Sequence, residues 1–124
     1  MYEITVEDVF SSAHRLRNYR GKCENVHGHN WKVQVTVAGE NLDESGLLLD
    51  FHIAKKKLKE VLSALDHKDL NRIGFFKKLN PTSENICFHI YGRMKITLKK
   101  YSVTVKRVTV WESDRQCASY CEER

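Results

Sequence analysis

The chain has 124 residues, 41% hydrophobic and 30% charged, which suits one soluble globular domain spanning 1–124 with a core of its own. No stretch approaches the roughly 18 consecutive apolar residues of a membrane span. The opening "MYEITVEDVF" carries acids and alternates in polarity, unlike a signal or transit peptide, so a cytosolic protein with no membrane partner is expected. The net charge of +5 suits an anionic small molecule as well as a nucleic acid. The basic residues are scattered, however. The one run, "AKKKLKE", has the spacing of a solvated helix face, and no basic motif interleaved with aromatics appears, so no nucleic-acid partner is expected.

In chain order, residues 2–10 alternate, with Tyr2, Ile4 and Val6 on one face and Glu3, Thr5 and Glu7 on the other, as in a strand with one buried face. "RLRNYRGKCENV" has no periodicity and reads as a loop. From His29 the alternation returns, with Trp31, Val33, Val35 and Val37 sharing a face. "AGENLDESG" is turn chemistry, and the apolar run "LLLDF" reads as a third strand of the same sheet. Residues 52–65 switch to helical period, with Ala54, Leu58, Val61, Leu62 and Leu65 on one stripe. "DHKDLNRIGFFKKLN" is irregular. "NPTSEN" opens a second helix, with Asn80 or Thr82 as its cap, running to about Lys99. "YSVTVKRVTVW" is the last strand. The order strand, strand, strand, helix, helix, strand predicts an α+β fold: a four-stranded antiparallel sheet with two helices on one face. Long strands with open edges predict assembly edge to edge.

In "CENVHGH", His27 and His29 stand two apart and project together from an extended chain. His14 ends the first strand and comes level with them if the first two strands pair. Three imidazoles with an open fourth position suit a catalytic zinc. Cys23 has two readings. It could be a fourth ligand that closes a structural site, or a free thiolate activated by the metal and by Arg20 and Lys22. Asp66 directly precedes His67, and a carboxylate can orient a proton-transferring imidazole. Glu112 follows the apolar "VTVW" and would be costly there unless paired. It suits a ligand with two adjacent N–H donors, as on an aminopyrimidinone ring. Glu84 fits as a first-turn acid of the second helix. The cysteines at 23, 87, 117 and 121 form no CxxC motif and are expected to be reduced thiols.

Taken in order, "CENVHGHNWKVQVTV", "GLLLDF", "LDHKDLN", "NPTSEN" and "VWESDRQCASY" resemble the family of 6-pyruvoyltetrahydropterin and 6-carboxytetrahydropterin synthases, over about His14 to Tyr120. The resemblance implies Zn2+ on His14, His27 and His29. It makes Cys23 the general base, with Asp66 and His67 completing a proton relay. Glu112 becomes the pterin anchor, with Thr82 and Glu84 as further substrate contacts. It also implies the tunnelling fold (T-fold), in which sheets of several subunits close into a barrel. The expected assembly is then a homo-oligomer, a trimer or hexamer, with active sites between subunits. The three-residue gap between Cys23 and His27 resembles the carboxytetrahydropterin synthases. The implied substrate is the pterin triphosphate 7,8-dihydroneopterin triphosphate, consumed at an early step towards 7-deazapurines such as queuosine. Two other readings stay open: a pyruvoyl synthase, and a binding module built on structural zinc.

Overall fold

The computed structural model describes residues 1–122. Strand β1 (Tyr2–His14) pairs antiparallel with β2 (His27–Gly39), and two helices follow, α1 (Phe51–Ser63) and α2 (Ser83–Thr97). Strands β3 (Thr104–Ser113) and β4 (Gln116–Tyr120) complete one antiparallel sheet of order β1-β2-β3-β4. Both helices pack on the same face, α1 over β1 and α2 over β3 and β4. No helix is long and apolar enough to cross a membrane.

Period-two alternation puts Val6, Phe10, Trp31, Val33, Val35, Val108 and Val110 under the helices. There they meet Leu58, Leu62 and Leu65 of the first helical segment and Ile86, Ile90 and Met94 of α2. The Phe10 and Trp31 rings lie nearly parallel, with centroids 5.9 Å apart. The opposite face carries polar cross-strand pairs: Thr5 with Thr36 at 2.8 Å, Gln34 donating to Glu7 at 3.1 Å, and Thr109 with Ser119 at 2.7 Å. Thr82 caps α2 by accepting the Asn85 amide at 3.1 Å, so the cap is Thr82 rather than Asn80.

Two expectations about the sheet are corrected. "LLLDF" is not a strand: Leu48 and Leu49 lie in bends, and Asp50 caps α1 by accepting the His52 amide at 2.8 Å. Capping at Asp50 outweighs the strand tendency of the short leucine run. The fourth strand is instead β4, which follows a tight turn at Asp114-Arg115 that lacks the glycine by which such hairpins are usually recognised.

The edge of β1 is open only in part. From Ser11 onward it is covered by the segment after α1. Ser11 N–H donates to Asp66 Oδ1 at 2.8 Å, His67 N–H to Ser11 O at 2.6 Å and Ala13 N–H to Lys68 O at 3.0 Å. Two asparagine side chains continue the cover like a short strand. Asn71 accepts the Arg15 amide at 2.9 Å and donates to its carbonyl at 3.0 Å. Asn80 does the same for Arg17, at 2.8 and 3.0 Å. This leaves the first half of β1 open on this side, and β4 forms the other edge of the sheet.

Leu58 is fully buried between α1 and the sheet. Leu58→Ala should destabilise the fold by about 2–5 kcal/mol, read as a lower urea midpoint with an unchanged slope.

Candidate active site

The register of the first hairpin places His14 directly opposite His27. Both strands present their alternate residues to the helix side, so His14, His27 and His29 converge beside Trp31. One ring nitrogen from each histidine lies within 4.8 Å of the other two. Ring centroids are 4.7 Å apart for His14–His27, 4.9 Å for His27–His29 and 5.2 Å for His14–His29, all edge to face.

The tautomers follow from the hydrogen bonds. His14 is 2% exposed, and its Nδ1 lies 2.7 Å from the Pro81 carbonyl. A carbonyl cannot donate, so Nδ1 carries the proton and Nε2 is left bare. His27 Nδ1 meets the Asn25 carbonyl at 2.8 Å with the same consequence. Among the described residues, His14 Nε2 and His29 Nε2 are buried side-chain nitrogens without a hydrogen-bond partner. Burial first, then the neighbouring His14 and His27, push the His29 pKa down against the opposing pull of Glu112, which favours its neutral form. Three converging imidazoles, with orphaned nitrogens on His14 and His29 and carbonyls behind His14 and His27, fit a metal ion such as zinc.

His14 and His27 open onto a cavity of about 450 Å³ that Thr82, Glu84 and Glu112 also line. Glu112 reaches it from β3, on the same face as Val108 and Val110 and at a bulge. Trp111 pairs with Cys117 and Ser113 with Gln116, so Glu112 has no residue across from it. Glu112 Oε2 comes 3.9 Å from His14 Nε2 while Oε1 accepts from Gln116 Nε2 at 3.0 Å. Thr82 and Glu84 enter from the first turn of α2.

Three expected site residues lie elsewhere within the protomer. Cys23 is exposed and lines a shallower hollow with Tyr19, Arg20, Lys22, Glu24 and Asn25. Tyr19 and Glu24 line both the hollow and the histidine cavity, so Cys23 sits at the cavity's rim. Asp66 and His67 are outside the cavity. They form a dyad with His67 Nδ1 2.9 Å from Asp66 Oδ2, and the His67 side chain is 81% exposed. The Ser11 amide, and then the His67 ring, hold the Asp66 carboxyl below the usual carboxylate range. His67 has φ +55°, a left-handed conformation that L residues seldom adopt, and its amide and side chain are both anchored.

Sequence reasoning missed Glu24 and Gln116. Glu24 stands next to Cys23, and its carboxylate accepts the Leu16 amide at 3.0 Å. An acid three residues before the first histidine was a visible signal. Gln116 gave none, because its role depends on the bulge. The remaining cysteines are free thiols: Cys117 on β4 is exposed, as is Cys121 just beyond it. Buried Cys87 donates to Ala118 O, and burial raises its pKa to about 12.

An antiparallel sheet backed by two helices, with three histidines gathered at the end of its first hairpin, defines a T-fold protein with a metal-capable cavity. The chain matches the family model described as 6-pyruvoyl tetrahydropterin synthase over residues 3–123 and belongs to that family. It is 36% identical over 115 residues, 93% of this chain and 91% of the other, to an Archaeoglobus fulgidus protein provisionally named a 6-carboxy-5,6,7,8-tetrahydropterin synthase. It is 30% identical over 145 residues, 98% of both chains, to the Haemophilus influenzae 6-carboxy-5,6,7,8-tetrahydropterin synthase. The structure of Caenorhabditis elegans 6-pyruvoyl tetrahydropterin synthase superposes with a TM-score of 0.83 at 32% identity, covering 99% of this chain and 98% of that one.

The depressed His29 pKa carries a sign that can be checked. Below the ordinary histidine value of about 6.5, the unfolded chain binds a proton at this site that the metal-free fold resists. Stability should therefore fall as pH drops from about 6.5 towards the lower native value, with no contribution from this group above 6.5. Urea midpoints of metal-free protein at pH 7.5 and 5.5 should differ, and His29→Gln should shrink the difference.

Proposed function

We propose that this protein is a zinc-dependent 6-carboxy-5,6,7,8-tetrahydropterin synthase, a lyase acting on 7,8-dihydroneopterin triphosphate. The observation that carries the reading is the convergence of the three histidines, two of which share a cavity with Glu112, in a chain of the pterin synthase family. The carboxy branch is favoured by the three-residue gap from Cys23 to His27, the spacing that resembles the carboxytetrahydropterin synthases.

The products are carboxytetrahydropterin, acetaldehyde and triphosphate, with water entering. The side-chain carbon next to the ring is oxidised to a carboxyl while the dihydropterin ring is reduced, so no external electrons are needed. Held by His14, His27 and His29, zinc would supply Lewis-acid polarisation of the substrate's side-chain oxygens. The residues do the rest. The Glu112 carboxylate accepts hydrogen bonds from the pterin's adjacent N–H groups and sets the ring's register. Thr82 and Glu84 add contacts from α2. Cys23 removes a proton from the side chain. His67, oriented by Asp66, takes or returns a proton on the other side.

A dyad as exposed as Asp66–His67 serves a neighbouring subunit's cavity. The open first half of β1 and the outer edge of β4 are the edges along which copies join into the barrel. Scattered lysines and arginines draw in the triphosphate. A second reading concerns the base. Glu24 lines the histidine cavity itself, whereas Cys23 sits at its rim, so Glu24 is the competing candidate.

One experiment tests both points: incubation of zinc-loaded protein with dihydroneopterin triphosphate, pterin identification by mass spectrometry, and an acetaldehyde assay. Carboxytetrahydropterin with equimolar acetaldehyde is expected, and a pyruvoyl pterin without acetaldehyde would assign the other branch. Cys23→Ala should slow turnover by about 10²–10⁴-fold while keeping zinc, and Glu24→Gln should not. The reverse pattern would move the base to Glu24, and loss of zinc in Cys23→Ala would indicate a structural site.

A further inference from the structure

The metal reading leaves open what holds His14 in place, since the carbonyl behind it belongs to a loop more than sixty residues away. We infer that Asn80 is a positioning residue for the metal centre: it locks Arg17 and Pro81 together so that the Pro81 carbonyl fixes the tautomer and direction of His14. This inference rests on the reading of His14, His27 and His29 as metal ligands.

The Asn80 side chain pairs with both backbone polar groups of Arg17, at 2.8 and 3.0 Å. The Arg17 guanidinium returns the connection, donating to Phe76 O and, at 2.9 Å, to Leu79 O. The Asn80 backbone carbonyl accepts the Thr82 amide and the Asn85 side-chain amide, each at 2.8 Å. The Thr82-to-Asn80 bond closes a three-residue γ-turn around Pro81, whose ring already fixes φ near −65°. With Thr82 also capping α2, the buried Pro81 is held from both sides, and its carbonyl meets His14 Nδ1 at 2.7 Å. Partners behind a ligating imidazole set its orientation and basicity, and losing them typically costs 10–100-fold in metal affinity.

The fold supplies its own control. Asn71 clamps Arg15 with the same pair of bonds, two residues nearer the histidine, but joins the turn at Leu70–Arg72 and not Pro81. A clamp that merely covers the strand edge would make the two asparagines equivalent.

The test is zinc retention by the loaded protein against increasing chromophoric chelator, for parent, Asn80→Ala and Asn71→Ala, with thermal midpoints of each. Asn80→Ala should lose about 10–100-fold in zinc affinity while Asn71→Ala stays within about twofold of parent, even though both melt lower. If Asn80→Ala does not fold, Asn80→Asp and Asn71→Asp take their place. Asp keeps the acceptor and loses the donor, and a loss of affinity confined to position 80 is again expected. Equal affinities in all variants, or equal losses at positions 71 and 80, would overturn the inference while leaving the metal site standing. A parent that holds no zinc would overturn both.

Discussion

The pairing register of β1 and β2 is the constraint on which the rest of the molecule depends. Because side chains alternate across a strand, a slip of one residue would turn the whole inner set of β1 to the polar face. Val6 and Phe10 would leave the core, and in the same movement His14 would leave His27 and His29. Core and site therefore specify one another. Phe10 stacks on Trp31, Trp31 packs against His14 and His29, and the Trp31 indole donates to Ser12 O at 3.2 Å. Glu112 comes to the same place from β3, two residues beyond the inward-facing Val110 and beside a register shift in the pairing with β4.

The second layer is built from the long connection between α1 and α2. This segment has little regular structure beyond two short 3₁₀ turns, Leu70–Arg72 and Gly74–Phe76, yet it supplies the cover of the β1 edge, the Asp66–His67 dyad and the carbonyl behind His14. Its first residues pair with the backbone of β1, and its Asn71 and Asn80 side chains satisfy the backbone of Arg15 and Arg17, so the segment carries functional groups at fixed positions without being a regular strand. The same arrangement leaves His67 exposed and outside the cavity of its own protomer.

Much of this was legible in the sequence, and the limits have physical causes. The alternation of Trp31, Val33, Val35 and Val37, the apolar stripe of α1 and the cap at Thr82 are local patterns, and each led to its element. The HxH spacing and His14 were legible because strand geometry converts spacing into direction. "LLLDF" misled because a short apolar run carries no period, and the bond from Asp50 to the His52 amide decided its fate. Strand β4 escaped because "QCASY" is short, half-exposed and follows a turn without glycine. The clamps on Arg15 and Arg17 join residues 56 and 63 positions apart, and no local pattern encodes such a pair.

The three histidines either hold a metal with a position left open for substrate or share it with a sulfur that closes the site. X-ray absorption at the zinc edge of the loaded protein answers that most directly. Nitrogen scatterers at about 2.0–2.1 Å with a light oxygen neighbour and no sulfur are predicted. A sulfur scatterer at about 2.3 Å would place a cysteine on the metal, Cys23 or the cavity-lining Cys117, and contradict the open catalytic site.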